Sequence, residues 1–145
     1  MIIFDFASIK DISSWMELLE LVEENFPGLD KESYKKGLSV SMMKKEALVA
    51  KENGMVVGAI AFSKDNNEIN FLAVHPEYRR MGIAQNLIKK LASLFPKGTQ
   101  LSVITYREGD LQGIAARKLY ESFGFKCGKL LTVFEYPCQR LIYTV

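Results

Sequence analysis

From Ala47 to Val74 the chain reads ALVAKENGMVVGAIAFSKDNNEINFLAV, and this run constrains the fold more than any other. ALVAK and MVVGAIAF are joined through Glu52-Asn53-Gly54, and only Gly and Asn readily take the positive φ that so tight a turn requires. After the polar turn Lys64 to Asn67, EINFLAV supplies a third strand. Strict alternation would place Ile69, Phe71 and Ala73 on one face and Glu68, Asn70, Leu72 and Val74 on the other. The whole is an antiparallel meander.

The period then changes. In HPEYRRMGIAQNLIKKLASLF, His75 to Phe95, two arginines precede a lone glycine, and Ile83, Ala84, Leu87, Ile88, Leu91, Ala92, Leu94 and Phe95 follow at helical spacing. QLSVITY, Gln100 to Tyr106, returns to strand, so strand, helix and strand form a right-handed crossover that makes the two strands parallel neighbours. A loop, Arg107 to Gln112, leads into GIAARKLYESFGF, with Ala115, Ala116, Leu119, Tyr120 and Phe123 on one helical face and Gly124 as the C-terminal cap. The tail from Phe125 to Val145 reads as two strands interrupted near Pro137, which cannot donate to a ladder.

Upstream, Ile2 to Phe6 is a short strand, and Ser8-Ile9-Lys10-Asp11 fits a capping box. Ile12, Trp15, Met16, Leu19, Val22 and Phe26 form an apolar stripe as far as Pro27-Gly28. A second helix spans Lys31 to Lys45, with Asp30 as its N-cap and Tyr34, Leu38, Met42 and Met43 on its inner face. The order βααβββαβαββ specifies an α/β protein with an α+β mixed sheet, not a doubly wound one, and 145 residues suit a single domain, 1–145.

A formal charge of +2 provides no electrostatic footprint of the size nucleic acid demands, so a basic module built on Arg79, Arg80, Lys89 and Lys90 is disfavoured. Cys127, Cys138 and the lone His75 cannot make a four-ligand zinc site, and no metal is expected. His75-Pro76 reads as a turn feature. The N-terminal MIIFDFASIKD lacks signal-peptide character and no apolar run would span a bilayer, so a cytoplasmic protein with no membrane partner is expected.

A strand passing through a short glycine-containing loop into a helix exposes backbone N–H groups where the macrodipole adds positive charge. Gly82 allows close approach to that backbone, the small Ala84 keeps the first turn uncrowded, and Arg79 and Arg80 add formal charge. A diphosphate suits such a place, although an ordinary turn with exposed arginines explains the same residues. Neither GxGxxG nor GxxxxGK[ST] occurs, which removes the Rossmann and P-loop readings.

Val74 to Ala84, V-H-P-E-Y-R-R-M-G-I-A, resembles the acyl-CoA-binding motif of the GNAT superfamily of N-acetyltransferases: Arg or Gln, two residues, Gly, one residue, then Gly or Ala. Arg79, Gly82 and Ala84 occupy its defined positions, and Ala115 to Phe125 resembles the family's second motif at the proper separation. The resemblance implies the GNAT fold over nearly the whole chain and acetyl-CoA as acyl donor. It implies that the amides of Arg80, Met81, Gly82, Ile83, Ala84 and Gln85 hold the pyrophosphate, while Leu72, Ala73 and Val74 pair with the pantetheine arm.

Tyr120 on periodicity alone is a core aromatic; the resemblance makes it the acid that protonates the leaving thiolate, which a phenol of pKa ~10 can do at neutral pH. The substrate ammonium must lose a proton before it attacks a thioester, and Glu68 matches a general base of some members, against the plain reading of a solvated strand-end glutamate. Direct attack without a covalent enzyme intermediate is implied, and Cys127 is not a nucleophile in it. Relatives often carry asparagine seven residues before the motif tyrosine, where this chain has Gly113; Gln112 is a substitute, or a cofactor contact is lost.

The acceptor implied is an amine-bearing small molecule or peptide. Glu20, Glu23, Glu24, Asp30 and Glu32 make the region joining the first two helices acidic, which favours a cationic amine such as a polyamine, an aminoglycoside or a peptide N-terminus; a solvated helix face explains them equally. The run Thr105 to Asp110 is placed to line the substrate side, and the C-terminal strands offer a homodimer edge. The alternative to an enzyme is a non-catalytic acyl-CoA-binding sensor or interaction domain of the same fold.

Overall fold

Asn53 and Gly54 take φ of 51° and 82° in the computed structural model, which covers residues 1–145, so the Asn-Gly turn closes its hairpin as the sequence requires. The elements are β1 (Ile2–Phe6), α1 (Ile12–Leu21), α2 (Lys31–Met43), β2 (Ala47–Glu52), β3 (Met55–Ser63), β4 (Glu68–Val74), α3 (Ile83–Ala92), β5 (Gln100–Tyr106), α4 (Ile114–Phe123), β6 (Lys126–Val133) and β7 (Tyr136–Thr144). This is the expected order. The strands make a seven-stranded sheet, β1-β2-β3-β4-β5-β7-β6, in which β4 and β5 run parallel and every other pairing is antiparallel.

Helices cover both faces. Trp15, Leu18, Leu19, Leu38 and Met42 of α1 and α2 pack on Val49, Ala59, Ala61 and Phe71. On the other face Ile83, Leu87 and Leu91 of α3 and Tyr120 of α4 pack with Leu48, Ile60, Phe62, Val103, Phe125 and Leu141. Lying between both layers, β3 is buried from Val56 to Phe62, which explains why MVVGAIAF is a continuous apolar run rather than an alternating one. No helix is long and apolar enough to cross a membrane.

The helix ends follow their capping chemistry. Ser8 donates its N–H to Asp11 Oδ2 at 2.9 Å, and buried Asp11 accepts from Lys51 Nζ at 3.0 Å, tying the entry of α1 to β2. Asp30 accepts from the Glu32 N–H at 3.1 Å and caps α2. Gly124, at φ 122°, ends α4, donating to Tyr120 O and Glu121 O.

Several expectations are corrected. Met43 is 77% exposed, because Tyr34, Leu38 and Met42 already repeat every four residues and Met43 lies a further 100° round the helix. α2 stops at Met43, with Lys45 at positive φ, and α3 stops at Ala92, leaving Leu94 exposed while Phe95 still packs inward. Ala115 is exposed, and Arg117 takes its place on the buried face of α4. Pro137 lies inside β7 opposite Thr132; the interruption is at Phe134 and Glu135, both at positive φ. Proline is tolerated because the β5 pairing of β7 begins one residue later, at Cys138.

The alternation expected in β4 also fails. Ala61 pairs with Phe71 and Phe62 with Ile69, so Asn70 is an extra residue, a β-bulge. Ile69 consequently joins the α3 and α4 layer together with Leu72 and Val74, while Phe71 and Ala73 face α1 and α2. Glu68, next to Ile69, therefore faces α1 and α2, opposite Leu72 and Val74 rather than beside them.

Gly58, in mid-strand, sets how closely α3 approaches the sheet. A Cβ there would lie 2.5 Å from Ile83 Cγ2 and 3.3 Å from Leu87 Cδ1. Gly58→Ala is expected to lower stability by about 1–3 kcal/mol through this overpacking. The midpoint of urea unfolding checks it; an unchanged midpoint would mean that α3 moves away freely.

Candidate active site at the split between parallel strands

β4 and β5 pair only at Glu68–Ser102 and Ile69–Val103. β4 nevertheless stays with β3 as far as Val74, and β5 stays with β7 as far as Tyr106. The sheet therefore opens between them, and it does so at Asn70, where the bulge bends β4 and increases its twist. His75 N–H donates to Val57 O at 2.8 Å. Antiparallel bonding alternates, so Ala73 and Phe71 also direct their backbone groups to β3, and Leu72 and Val74 turn theirs into the gap. Those groups are ladder donors and acceptors without a strand to meet.

The gap leads to the loop before α3. Pro76–Tyr78 forms a turn whose N-cap is His75, with Nδ1 accepting the Glu77 N–H at 3.1 Å; His75 is the turn feature its context implied. Arg80 and Gly82 follow at φ 66° and 74°. Asn86 is the first residue of the turn to donate back, to Gly82 O at 3.0 Å, and the amides from Arg79 to Gln85 donate to no group of the protein. Arg79, Arg80, Met81 and Gly82 are exposed, Ala84 and Gln85 half-buried, and Ile83 is buried as the anchor of the turn. A row of unbonded amides at a helix N-terminus fits an anion with several oxygens. Gln85 Nε2 donates to Ser122 Oγ at 3.0 Å, fastening this end of α3 to α4.

Tyr120 is 6% exposed, its ring edge-on to Phe125 at 5.4 Å, in the same cluster as Ile69, Leu72, Val74 and Val103, which bracket the split. Its hydroxyl makes no hydrogen bond within the protein, yet no buried side-chain oxygen or nitrogen lacks a partner, so the oxygen reaches accessible space. Burial pushes the phenol well above its ordinary 10.0, which keeps it protonated. Glu68 sits at the closed end of the split on the opposite face, with Arg140 Nη1 3.9 Å from its Oε2. Tyr120 and Glu68 are not in contact; the sheet lies between them.

Arg117, to which the sequence assigns no role, and the Thr105 to Asp110 run hold the open arm of the split. Arg117 is 6% exposed; its Nη1 donates to Tyr106 O (3.0 Å) and Gln139 Oε1 (2.9 Å), and its Nη2 to Cys127 Sγ (3.3 Å) with Glu121 Oε1 at 3.1 Å. It joins α4 to the ends of β5 and β7. The available signal was a charged residue in helical register with Gly113, Tyr120 and Gly124. Arg107 donates to Cys138 O and Leu131 O at 3.0 and 3.1 Å, and Asp110 accepts from Tyr136 Oη at 2.7 Å, so the Thr105 to Asp110 run fastens the β6–β7 hairpin. Gly113 is buried, and a Cβ there would lie 2.5 Å from Tyr106 Cβ, so no asparagine fits; Gln112 is exposed. No group of three or more His, Cys, Asp or Glu is placed to hold a metal ion.

Residues 14–125 match the sequence model described as the Acetyltransferase (GNAT) family. Solved structures of the same fold include a GNAT-family acetyltransferase from Bacillus cereus (18% identity, 99% of this chain and 97% of that one, TM-score 0.78). An N-acetyltransferase from Staphylococcus aureus is 19% identical over 97% of this chain and 100% of that one, with TM-score 0.75. The PaiA N-acetyltransferase of Thermoplasma acidophilum, solved in complex with coenzyme A, is 18% identical over 99% of both chains with TM-score 0.74. No curated protein matches the sequence significantly.

The isolation of the Tyr120 hydroxyl gives a stability test. With no hydrogen bond to lose, Tyr120→Phe should leave neutral-pH stability within about 0.5 kcal/mol of the parent. Above pH 10.0 the unfolded tyrosine ionises while the buried one does not, so the folded state binds the extra proton and stability falls with rising pH. Tyr120→Phe removes that contribution, up to about 1.4 kcal/mol per pH unit, and should decline less steeply. Urea titrations of both proteins across pH 9 to 11.5 check the sign.

Proposed function

The chain belongs to the GNAT acetyltransferase family, and from that premise we propose that it transfers the acetyl group of acetyl-CoA to a primary amine by direct attack. The observation that carries the reading is the row of unbonded amides, Arg79 to Gln85, at the mouth of a gap bordered by the free backbone groups of Leu72 and Val74. A pyrophosphate suits the first and an extended amide-bearing arm suits the second, with Arg79 and Arg80 adding charge.

In this reading Glu68 takes the proton of the substrate ammonium, directly or through water. The amine nitrogen attacks the thioester carbon, the C–S bond breaks and the thiolate takes the Tyr120 proton, while the nitrogen gives up its second proton through water to restore the phenol and leave the amide. The acetyl oxygen faces the backbone donors at the split. Acid and base on opposite faces support direct transfer, because the amine arrives from one side of the gap and the thiol leaves toward the other. The sensor alternative rests on Gly113 in place of asparagine and on an unassigned base; Tyr106 leaves no room for a side chain at Gly113, which removes asparagine at that position but leaves the base to experiment.

Thiol release from acetyl-CoA with a panel of primary amines tests the proposal. Turnover is expected, and acetyl-CoA binding without turnover of any amine would favour the sensor instead. Tyr120→Phe should lower kcat by about 10²- to 10⁴-fold while retaining acetyl-CoA affinity. Gly82→Ala, forced to φ 74°, should weaken acetyl-CoA binding by about tenfold, an amount matching the 1–2 kcal/mol cost of a left-handed residue, as measured by calorimetry.

A further inference from the structure

We propose that Arg140 selects acceptors carrying a carboxylate a few bonds from the amine, the arrangement of a free amino acid, a selection that rests on the acetyltransferase reading of the same cleft.

Strand parity fixes the side on which Arg140 lies. Leu141 and Tyr143 pack in the α3 and α4 layer and Gln139 bonds Arg117 of α4, so Arg140 points to the opposite face. The Asn70 bulge turns Glu68 to that face too, and the 3.9 Å approach of the two side chains agrees. α1 and α2 pack over β2, β3 and β4, and beyond β4 the Glu68 and Arg140 side chains remain 26% and 38% accessible. An amine reaching Glu68 from this side meets the guanidinium next to it.

That guanidinium is free. Arg117 and Arg107 are committed to the bonds that hold α4 and the β6–β7 hairpin, whereas Arg140 makes no hydrogen bond, and 3.9 Å exceeds the length of a charge-assisted bond to Glu68. Its planar fork matches a carboxylate in two-point fashion. In the acidic connector, by contrast, two carboxylates are committed locally: Glu23 pairs with Lys31 at 2.7 Å, and Asp30 accepts from Glu32 N–H and Ser33 Oγ. A carboxylate beside the amine answers both charges at the cleft. A polyamine or a peptide N-terminus answers only one.

The experiment compares kcat/KM for common α-amino acids, their carboxamides and a linear polyamine, in the parent, Arg140→Gln and Arg140→Lys. The parent should prefer free acid over carboxamide by at least about tenfold, the smallest effect expected of a charge-assisted pair. The preference should disappear through KM in Arg140→Gln and partly survive in Arg140→Lys. Equal or better turnover of carboxamides or polyamine by the parent overturns the proposal while leaving the enzyme reading intact, as does a preference unchanged in Arg140→Gln. Absence of turnover with every amine overturns the enzyme reading, and this inference with it. Where Arg140→Gln fails to fold, Arg140→Lys carries the comparison: a preference in it undiminished from the parent's overturns the assignment to Arg140.

Discussion

One residue too many in β4 determines most of what the molecule can do. Without Asn70 the strand would alternate regularly beside β5 and the sheet would close along its length. With it, β4 turns over in mid-course: Glu68 is given to one face, Leu72 and Val74 to the other, and β4 leaves β5 after two paired residues. The gap, its free backbone groups and the separation of Glu68 from Tyr120 all descend from that insertion.

Supports around the gap keep its two arms in place. On one arm, the mid-strand Gly58 admits the first turn of α3 close against β3, so the unbonded amides are aimed from a packed base. On the other, Arg117 binds the carbonyl at the end of β5 and the Gln139 side chain at once, and Gln85 bridges the two arms through Ser122. Phe71, the residue after the bulge, is flanked by Phe26 at 4.8 Å, Tyr34 at 5.4 Å and Trp15 at 5.8 Å. Buried aromatic area is thus concentrated where the strand is irregular.

Element order was legible because it rests on local signals: Asn53-Gly54, the Asp30 cap, the change from period two to period 3.6 after Val74. The motif loop was legible as a turn before a helix. The bulge was not legible, since EINFLAV alternates well enough to hide an extra residue; its register depends on β3. Gly113 read as a loss because Tyr106, its neighbour in space, is seven residues away in sequence. Pro137 misplaced the final turn for a similar reason: its tolerance depends on where β5 ends, a fact of the partner strand.

The seam between β4 and β5 has a thermodynamic consequence. Two residue pairs are all that join the two halves of the sheet directly, so a ligand lying in the gap takes the position of an absent eighth strand. Its affinity becomes part of the folding equilibrium: occupancy at a hundredfold excess over Kd adds about 2.7 kcal/mol, a sizeable share of the stability of an ordinary domain. Persistence of the folded chain is thereby coupled to the supply of whatever fills the seam.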